Sequence, residues 1–188
     1  LTKDGEVKNL TVNNAKVSGY LNVGVVAGTP YTSKYTNISV TGHVEVKGYA
    51  YVGGVGGKNA YADWTNITVN ADETSYVEAD SENYRTYVGG VIGFMGEGEH
   101  TFKNISSNID VTGSTCDVGG ITGIAHYGNK FIDVTCSGDV TTLVDNVTDA
   151  CESGGIAGVW HNGGSPVTFE ELTFTGTMSA PNVEEEFS

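Results

Sequence analysis

Apolar and polar residues alternate with a period of two along most of this chain, and pairs of glycines interrupt the alternation at regular intervals. One alternating motif recurs six times. It reads Asn9-Leu10-Thr11-Val12, Asn37-Ile38-Ser39-Val40 and Asn66-Ile67-Thr68-Val69, then drifts to Asn104-Ile105-Ser106-Ser107, Asp133-Val134-Thr135-Cys136 and Glu171-Leu172-Thr173-Phe174. Two residues before each copy stands a large apolar residue: Val7, Tyr35, Trp64, Phe102, Phe131 and Phe169. A glycine-rich hexad recurs between these copies, at Val23–Gly28, Val52–Gly57, Val88–Gly93, Val118–Gly123 and Ser153–Gly158. Its first glycines step by 29, 36, 30 and 35 residues. Such self-similarity is the mark of a repeat architecture.

Period two with β-branched residues predicts strands. A glycine inside a helix costs about 1 kcal/mol against alanine, so five hexads exclude a helical solenoid. A third short strand fits between the motifs at Ala15–Val17, Val44–Val46, Ile109–Val111 and Asp139–Thr141. Three strands and their turns in one step of 29 residues suit one coil of a parallel β-helix. Propeller blades, at roughly 40–50 residues, are too long, and a sandwich needs no in-register repetition. The expectation is an all-β, right-handed parallel β-helix of about five to six coils, the hand following from the strand-crossover rule. It occupies residues 1–180 as a single domain, and 181–188 form a C-terminal tail or linker. Stacked like over like, Tyr35, Trp64, Phe102, Phe131 and Phe169 would form an aromatic column, and the double glycines tight corners where a Cβ would clash or φ must be positive. Two coils carry longer loop insertions, Asn70–Arg85 and Leu143–Glu152, expected to protrude from the same corner.

The run Asn37-Ile38-Ser39-Val40-Thr41-Gly42, followed by Val52-Gly53-Gly54-Val55-Gly56-Gly57, resembles the GLUG-type repeat. Asp110-Val111-Thr112-Gly113 with Val118-Gly119-Gly120-Ile121-Thr122-Gly123 is similar to it too. The resemblance runs from about Gly5 to Gly176, with departures at Val25, Ser107, Ser153 and the two insertions. It implies a right-handed β-helix from a large bacterial surface or secreted protein, of the adhesin-like kind or attached to IgA-cleaving proteases. The motif speaks for architecture and hardly for activity.

Charge narrows the partners. Nine Lys+Arg against 23 Asp+Glu give a net charge of −14, which disfavours nucleic acid and an anionic membrane surface. No run of 18 apolar residues exists to span a membrane. The chain begins Leu1-Thr2-Lys3, which reads as a segment of a larger polypeptide.

Candidate chemistry sits where the repeat is broken, because loops tolerate insertion. The first insertion carries Asp72, Glu73, Glu78, Asp80 and Glu82, with Tyr76 and Tyr84. The second carries Asp145, Asp149 and Glu152. One reading is a site for Ca²⁺ or a cationic partner; the other is a solvated acidic surface. Neither loop has EF-hand spacing. The turns after the hexads hold Tyr31, Tyr61, His100, His126, Tyr127, Trp160 and His161, which could line a sugar-binding edge or cap loops. Arg85 is the only arginine available to lyase chemistry, and a carboxylate pair among 23 acids is no evidence for a glycosidase. His-Glu-x-x-His and Gly-x-Ser-x-Gly are missing, and the hexads lack the Lys-Ser/Thr of a phosphate loop. His43, His100, His126 and His161 are scattered as surface or turn residues.

The Thr/Ser and Asn columns read as a solvated face, and their Asn-x-Ser/Thr triplets as a by-product of strand patterning. Cys116 and Cys151 lie three residues before the first hexad glycine in consecutive coils, within disulfide reach. Cys136 replaces a core valine. The resulting expectation is a non-catalytic, extracellular or cell-surface, adhesin-like module that binds a glycan or a host or bacterial surface protein through loops, or serves as a stalk. A carbohydrate-active β-helix enzyme is the alternative. No cofactor is assigned, Ca²⁺ apart.

Overall fold

The structure is a computed structural model that describes residues 5–31, 33–81, 85–114, 116–143, 151–161 and 163–180. Every regular element among them is a strand, and no helix is present that is long and apolar enough to cross a membrane. The strands form sheets of ten, five and four, and every pairing is parallel.

Parallel partners cannot be joined by a tight hairpin, so the chain travels through the other sheets before it returns. Gly5–Ser18 leads to Val23–Gly24 and comes back as Ser33–Gly48, which pairs with Gly5–Ser18. Tyr51–Gly53 and Gly56–Asn59 follow in the five- and four-stranded sheets. Asp63–Ala71 and Tyr76–Ala79 then lie beside the two halves of Ser33–Gly48. The same circuit recurs through Thr101–Ser107, Lys130–Cys136 and Thr168–Phe174. The expected third strand is present at Asp110–Ser114 and Val140–Leu143, and as the second half of the two long first strands.

Register places like over like. Val7, Tyr35, Trp64, Phe102, Phe131 and Phe169 form one column. Ring centroids along it are 4.1, 6.4, 5.5 and 5.2 Å apart from Tyr35 to Phe169, all stacked. Leu10, Ile38, Ile67, Ile105, Val134 and Leu172 form the next. Trp64, Phe102, Phe131, Ile38, Ile67 and Ile105 are fully buried and centre the core.

Three features differ from the sequence expectation. The hexad is not one strand but two, split between sheets at its central glycine and valine. Its glycines are needed for close backbone approach, not for positive φ, which among described glycines occurs only at Gly42, Gly98 and Gly128. A Cβ on Gly53, Gly89, Gly119 or Gly154 would sit on the carbonyl oxygen three residues on. One on Gly54, Gly90 or Gly120 would sit on the carbonyl of the matching glycine in the next repeat.

The Asn column is the second surprise. Asn9, Asn37, Asn66, Asn104, Asp133 and Glu171 all have φ between 54 and 57°, so each is a left-handed kink inside a strand. Asparagine tolerates that conformation better than other non-glycine residues. The column is therefore a requirement of the bend and not a by-product of alternation. The amides also bond to each other: Asn37 Nδ2 donates to Asn9 Oδ1 at 2.9 Å, Asn66 to Asn37 at 2.8 Å, and Asn104 to Asn66 at 2.9 Å.

The stretch Asn70–Arg85, expected as a protruding loop, contains strand Tyr76–Ala79 with Val77 fully buried. Register locates the extra residues. Gly42 pairs with Ala71, a step of 29, Glu45 with Tyr76, a step of 31, and Tyr51 with Tyr87, a step of 36. Two residues are added in the turn Asp72–Ser75 and five after Ala79. Residues 144–150, with Asp145 and Asp149, lie outside the described residues, as do Tyr84, the side chain of Cys116 and the segment 181–188. Pairing of Val118 with Ser153 puts Cys116 and Cys151 on neighbouring rungs, but the Cys116–Cys151 bridge itself falls outside what is described. Cys136 is in the core, where burial pushes its thiol up to about 11.

Gly90→Ala should destabilise the fold by about 1–3 kcal/mol, because the methyl group meets main chain that cannot yield. Gly164→Ala, with nothing within 4 Å of the new Cβ, should stay within about 0.5 kcal/mol of wild type. Urea unfolding of the two variants checks the contrast; equal midpoints would contradict it.

Candidate functional site

The turn Asp72–Ser75 is held by a hydrogen-bonded cluster that joins three rungs. Asp72 Oδ1 accepts from Ser75 Oγ at 2.9 Å, Thr74 Oγ1 at 2.9 Å and the Thr74 N–H at 3.0 Å. His43 reaches into it, with Nδ1 at 3.3 Å from Asp72 Oδ1 and Nε2 at 2.9 Å from Glu45 Oε1. Lys16 pairs with the other Glu45 oxygen, and Asn14 Oδ1 accepts the His43 N–H at 2.9 Å. Glu45, facing Lys16 and His43, is held down at about 2. Asp72, facing Ser75, Thr74 and His43, is likewise held at about 2. Hydrogen bonds to Glu45 and Asp72 hold the His43 imidazolium above its ordinary range. The sequence reading left His43 as a scattered surface residue and did not single out Lys16 or Glu45. The signal was present: Lys16 to Glu45, and His43 to Asp72, are each one 29-residue step.

The other first-insertion residues are mostly tied down. Tyr76 and Glu78 sit on a strand, with Lys47 Nζ 5.0 Å from the Tyr76 ring centre and 3.0 Å from Glu78 Oε2. Asp80 accepts from Ser114 Oγ at 2.8 Å. Glu73 is exposed and borders a cavity of about 390 Å³ with Asp72, Ser75 and Asp110. Arg85 Nη2 lies 2.7 Å from Asp117 Oδ1 and 2.9 Å from Glu152 Oε2. Burial pushes the Asp117 carboxyl up against the pull of Arg85. Among the described residues no group of three or more His, Cys, Asp or Glu is arranged to hold a metal ion.

A groove of about 790 Å³ runs across the outward columns of the later repeats. It is lined by Asn66, Asn104, Asp133 and Glu171 on one side and Thr68, Ser106, Thr135 and Thr173 on the other. Glu171 is hydrogen-bonded to Asp133, which raises its carboxyl. The groove lining includes no cationic side chain.

Aromatic side chains gather on the turns after the hexads. Tyr31, Tyr61 and Trp160 are 46, 51 and 54% exposed. Tyr31 meets Tyr61 edge-on at 5.6 Å, and Tyr61 meets His100 at 5.8 Å. Tyr127 is hydrogen-bonded to Glu97, which raises its phenol. His126 is pushed down by burial and by His161, whose ring lies 5.1 Å away. Trp160 packs edge-on against Phe169 at 5.8 Å and leaves a face open. Tyr61 has φ 119°, an outlier for a bulky residue and a strained backbone of the kind that gathers at binding sites. Of the residues expected at a site, Trp160, which ends strand Ala157–Trp160 rather than lying in a turn, and His161 just after it share this edge, whereas Asp72, Glu73, Tyr76, Glu78 and Asp80 lie in and beside a different turn.

Comparison of the chain with family models, with curated proteins and with solved structures finds no match in any of the three.

The His43 cluster gives a pH prediction. A raised imidazole stabilises fully below its ordinary value of 6.5 and loses that contribution as pH rises through its folded value. The two lowered carboxylates contribute above about 4.5 and lose it as pH falls towards about 2. The turn should therefore be held most firmly between those limits. In an NMR titration His43 should turn above 6.5, and Asp72→Asn should lower that midpoint. An unmoved midpoint would show that the contact is not made in solution.

Proposed function

We propose that this chain is a right-handed parallel β-helix acting as a non-catalytic, adhesin-like binding module of a bacterial cell-surface or secreted protein, and that it takes a glycan along its aromatic turn edge. The architecture is supported by parallel, in-register pairing at every step and by the strong preference of parallel crossovers for the right hand. The GLUG-type resemblance supports the setting. The observation that carries the binding role is the exposure of Tyr31 and Tyr61 on turns and of Trp160 at the end of strand Ala157–Trp160, with Tyr61 strained. Sugar rings present C–H faces that stack on such aromatics, and the polar edges of Tyr127, Glu97 and His161 can receive hydroxyls.

The carbohydrate-active alternative has less behind it. Asp133 and Glu171 bond directly to each other, whereas glycoside cleavage uses carboxyls roughly 5–9.5 Å apart. Arg85 is engaged by two carboxylates and stands outside the groove.

A glycan array with the wild-type chain should show binding to a defined set of sugars. Tyr61→Ala and Trp160→Ala should each weaken it by roughly tenfold, equivalent to about 1.4 kcal/mol, near the upper worth of an aromatic contact. A chain that binds nothing on the array, or variants that bind as wild type does, would remove the glycan reading and leave a spacer.

A further inference from the structure

Lys58 is held by aromatic rings rather than by a carboxylate. Its Nζ lies 5.0 Å from the ring centre of Tyr51 and 5.1 Å from that of Phe94. Among the described residues it forms no ion pair with Asp or Glu, whereas Lys8, Lys16, Lys47 and Arg85 each do. An ammonium carries three donors and no acceptor, and ring faces satisfy them more weakly than an anion does.

The rings around it form an ordered surface. Tyr51 and Tyr87 stack at 5.5 Å with their planes 2° apart, and Phe94 meets them edge-on at 5.2 and 5.3 Å. Tyr51 and Tyr87 stand on the five-stranded sheet, Lys58 and Phe94 on the four-stranded one. The hexad glycines let these sheets approach, since a Cβ on Gly93 would sit on the main chain of Val52 and the carbonyl oxygen of Tyr87. All four side chains are half-buried, so each keeps part of its surface open.

This surface runs into the aromatic turn edge. Strand Gly56–Asn59, which carries Lys58, leads directly to the turn of Tyr61. The His126 ring lies 5.1 Å from Phe94 and 5.1 Å from His161. Burial, then His161, push the His126 imidazole down, and Lys58 adds to this against the opposite pull of Glu97. Basic groups therefore crowd one another here, and an anion among them relieves the repulsion. The local balance favours this in spite of the acidic whole: residues 1–60 hold six of the nine Lys+Arg and only three of the 23 Asp+Glu.

We propose that the glycan taken along the turn edge is an acidic one, its anionic group seated on Lys58 and an adjoining sugar ring set against the aromatic surface of Tyr51, Tyr87 and Phe94. This rests on the glycan reading above and adds the class of sugar. Lys58 supplies a charge-assisted contact and the rings supply stacking on C–H faces. A sugar carboxylate and a sulfate ester offer Lys58 the same anionic oxygens, so both belong in the test.

A glycan array carrying uronic, sialylated, sulfated and neutral sugars should show acidic members among those bound. Titration calorimetry then compares the tightest acidic glycan with its carboxyl-reduced or desulfated form, which identifies the anionic group. The acidic form should bind at least roughly tenfold more tightly, the worth of one hydrogen bond to a charged group, and added salt should weaken it. Lys58→Gln should bring the acidic form down to the neutral level while leaving neutral binding unchanged, which a loss of fold would not do. Lys58→Arg, which keeps the charge, should retain the preference. An array that binds neutral sugars only, or an acidic preference that survives Lys58→Gln, overturns the inference; weakening by Tyr61→Ala would then still uphold the glycan reading. An array that binds no sugar overturns both.

Discussion

Parallel pairing at one strand spacing of about 4.8 Å governs what each position of this chain can be. Along the stack a residue meets only its counterpart one circuit away, so the side chain chosen at one rung constrains the next. The aromatic column shows the favourable side, with rings from Tyr35 to Phe169 stacked face upon face. The hexads show the restrictive side. There two sheets bring main chain against main chain, and a Cβ on the first or second glycine would occupy the place of a carbonyl oxygen. The Asn ladder combines both, since one residue type satisfies the left-handed kink and hydrogen-bonds to its copy.

Much of this was legible because a repeat states its own constraints several times. The aromatic and aliphatic columns, the third strand at Asp110–Ser114 and Val140–Leu143, and buried Cys136 could all be read from period and offset. Three things could not. Strand Tyr76–Ala79 was hidden because two added residues at Asp72–Ser75 and five after Ala79 shifted it off the common spacing, and its Tyr-Val-Glu-Ala sequence resembles polar loop. The reason for the Asn column was hidden because alternation alone gives no φ. The splitting of the hexad was hidden because a glycine run fits a strand or a corner equally well.

The candidate site was legible in a more limited way. Tyr31, Tyr61, Trp160 and His161 were singled out after the hexads, and the structure adds the strained backbone of Tyr61 and its edge-on contact with Tyr31. The acidic residues were read as a loop; among the described ones of the first insertion Glu73 is exposed in a turn, while Asp72 and Asp80 accept hydrogen bonds that pin turns. The His43 cluster was missed because Lys16, the His43–Glu45 pair and the Asp72 turn are far apart in sequence and meet only across 29-residue steps. Sequence spacing is a poor guide to chemistry in a stack unless offsets of one circuit are searched as neighbours.

Apart from a one-residue register shift between Asn13 and Ala15, paired strands of neighbouring repeats stay in register although repeat length varies, and this shapes where function can lie. The steps from Gly42 to Ala71 and from Ser114 to Leu143 are both 29, although the chain between the hexads at Val118 and Ser153 is longer by six. Added residues therefore leave the columns undisturbed, because each strand re-enters register after the turn. A turn is released from the rule that like must lie over like, so Tyr31, Tyr61, Glu97 and Tyr127 can differ from rung to rung without disturbing the core.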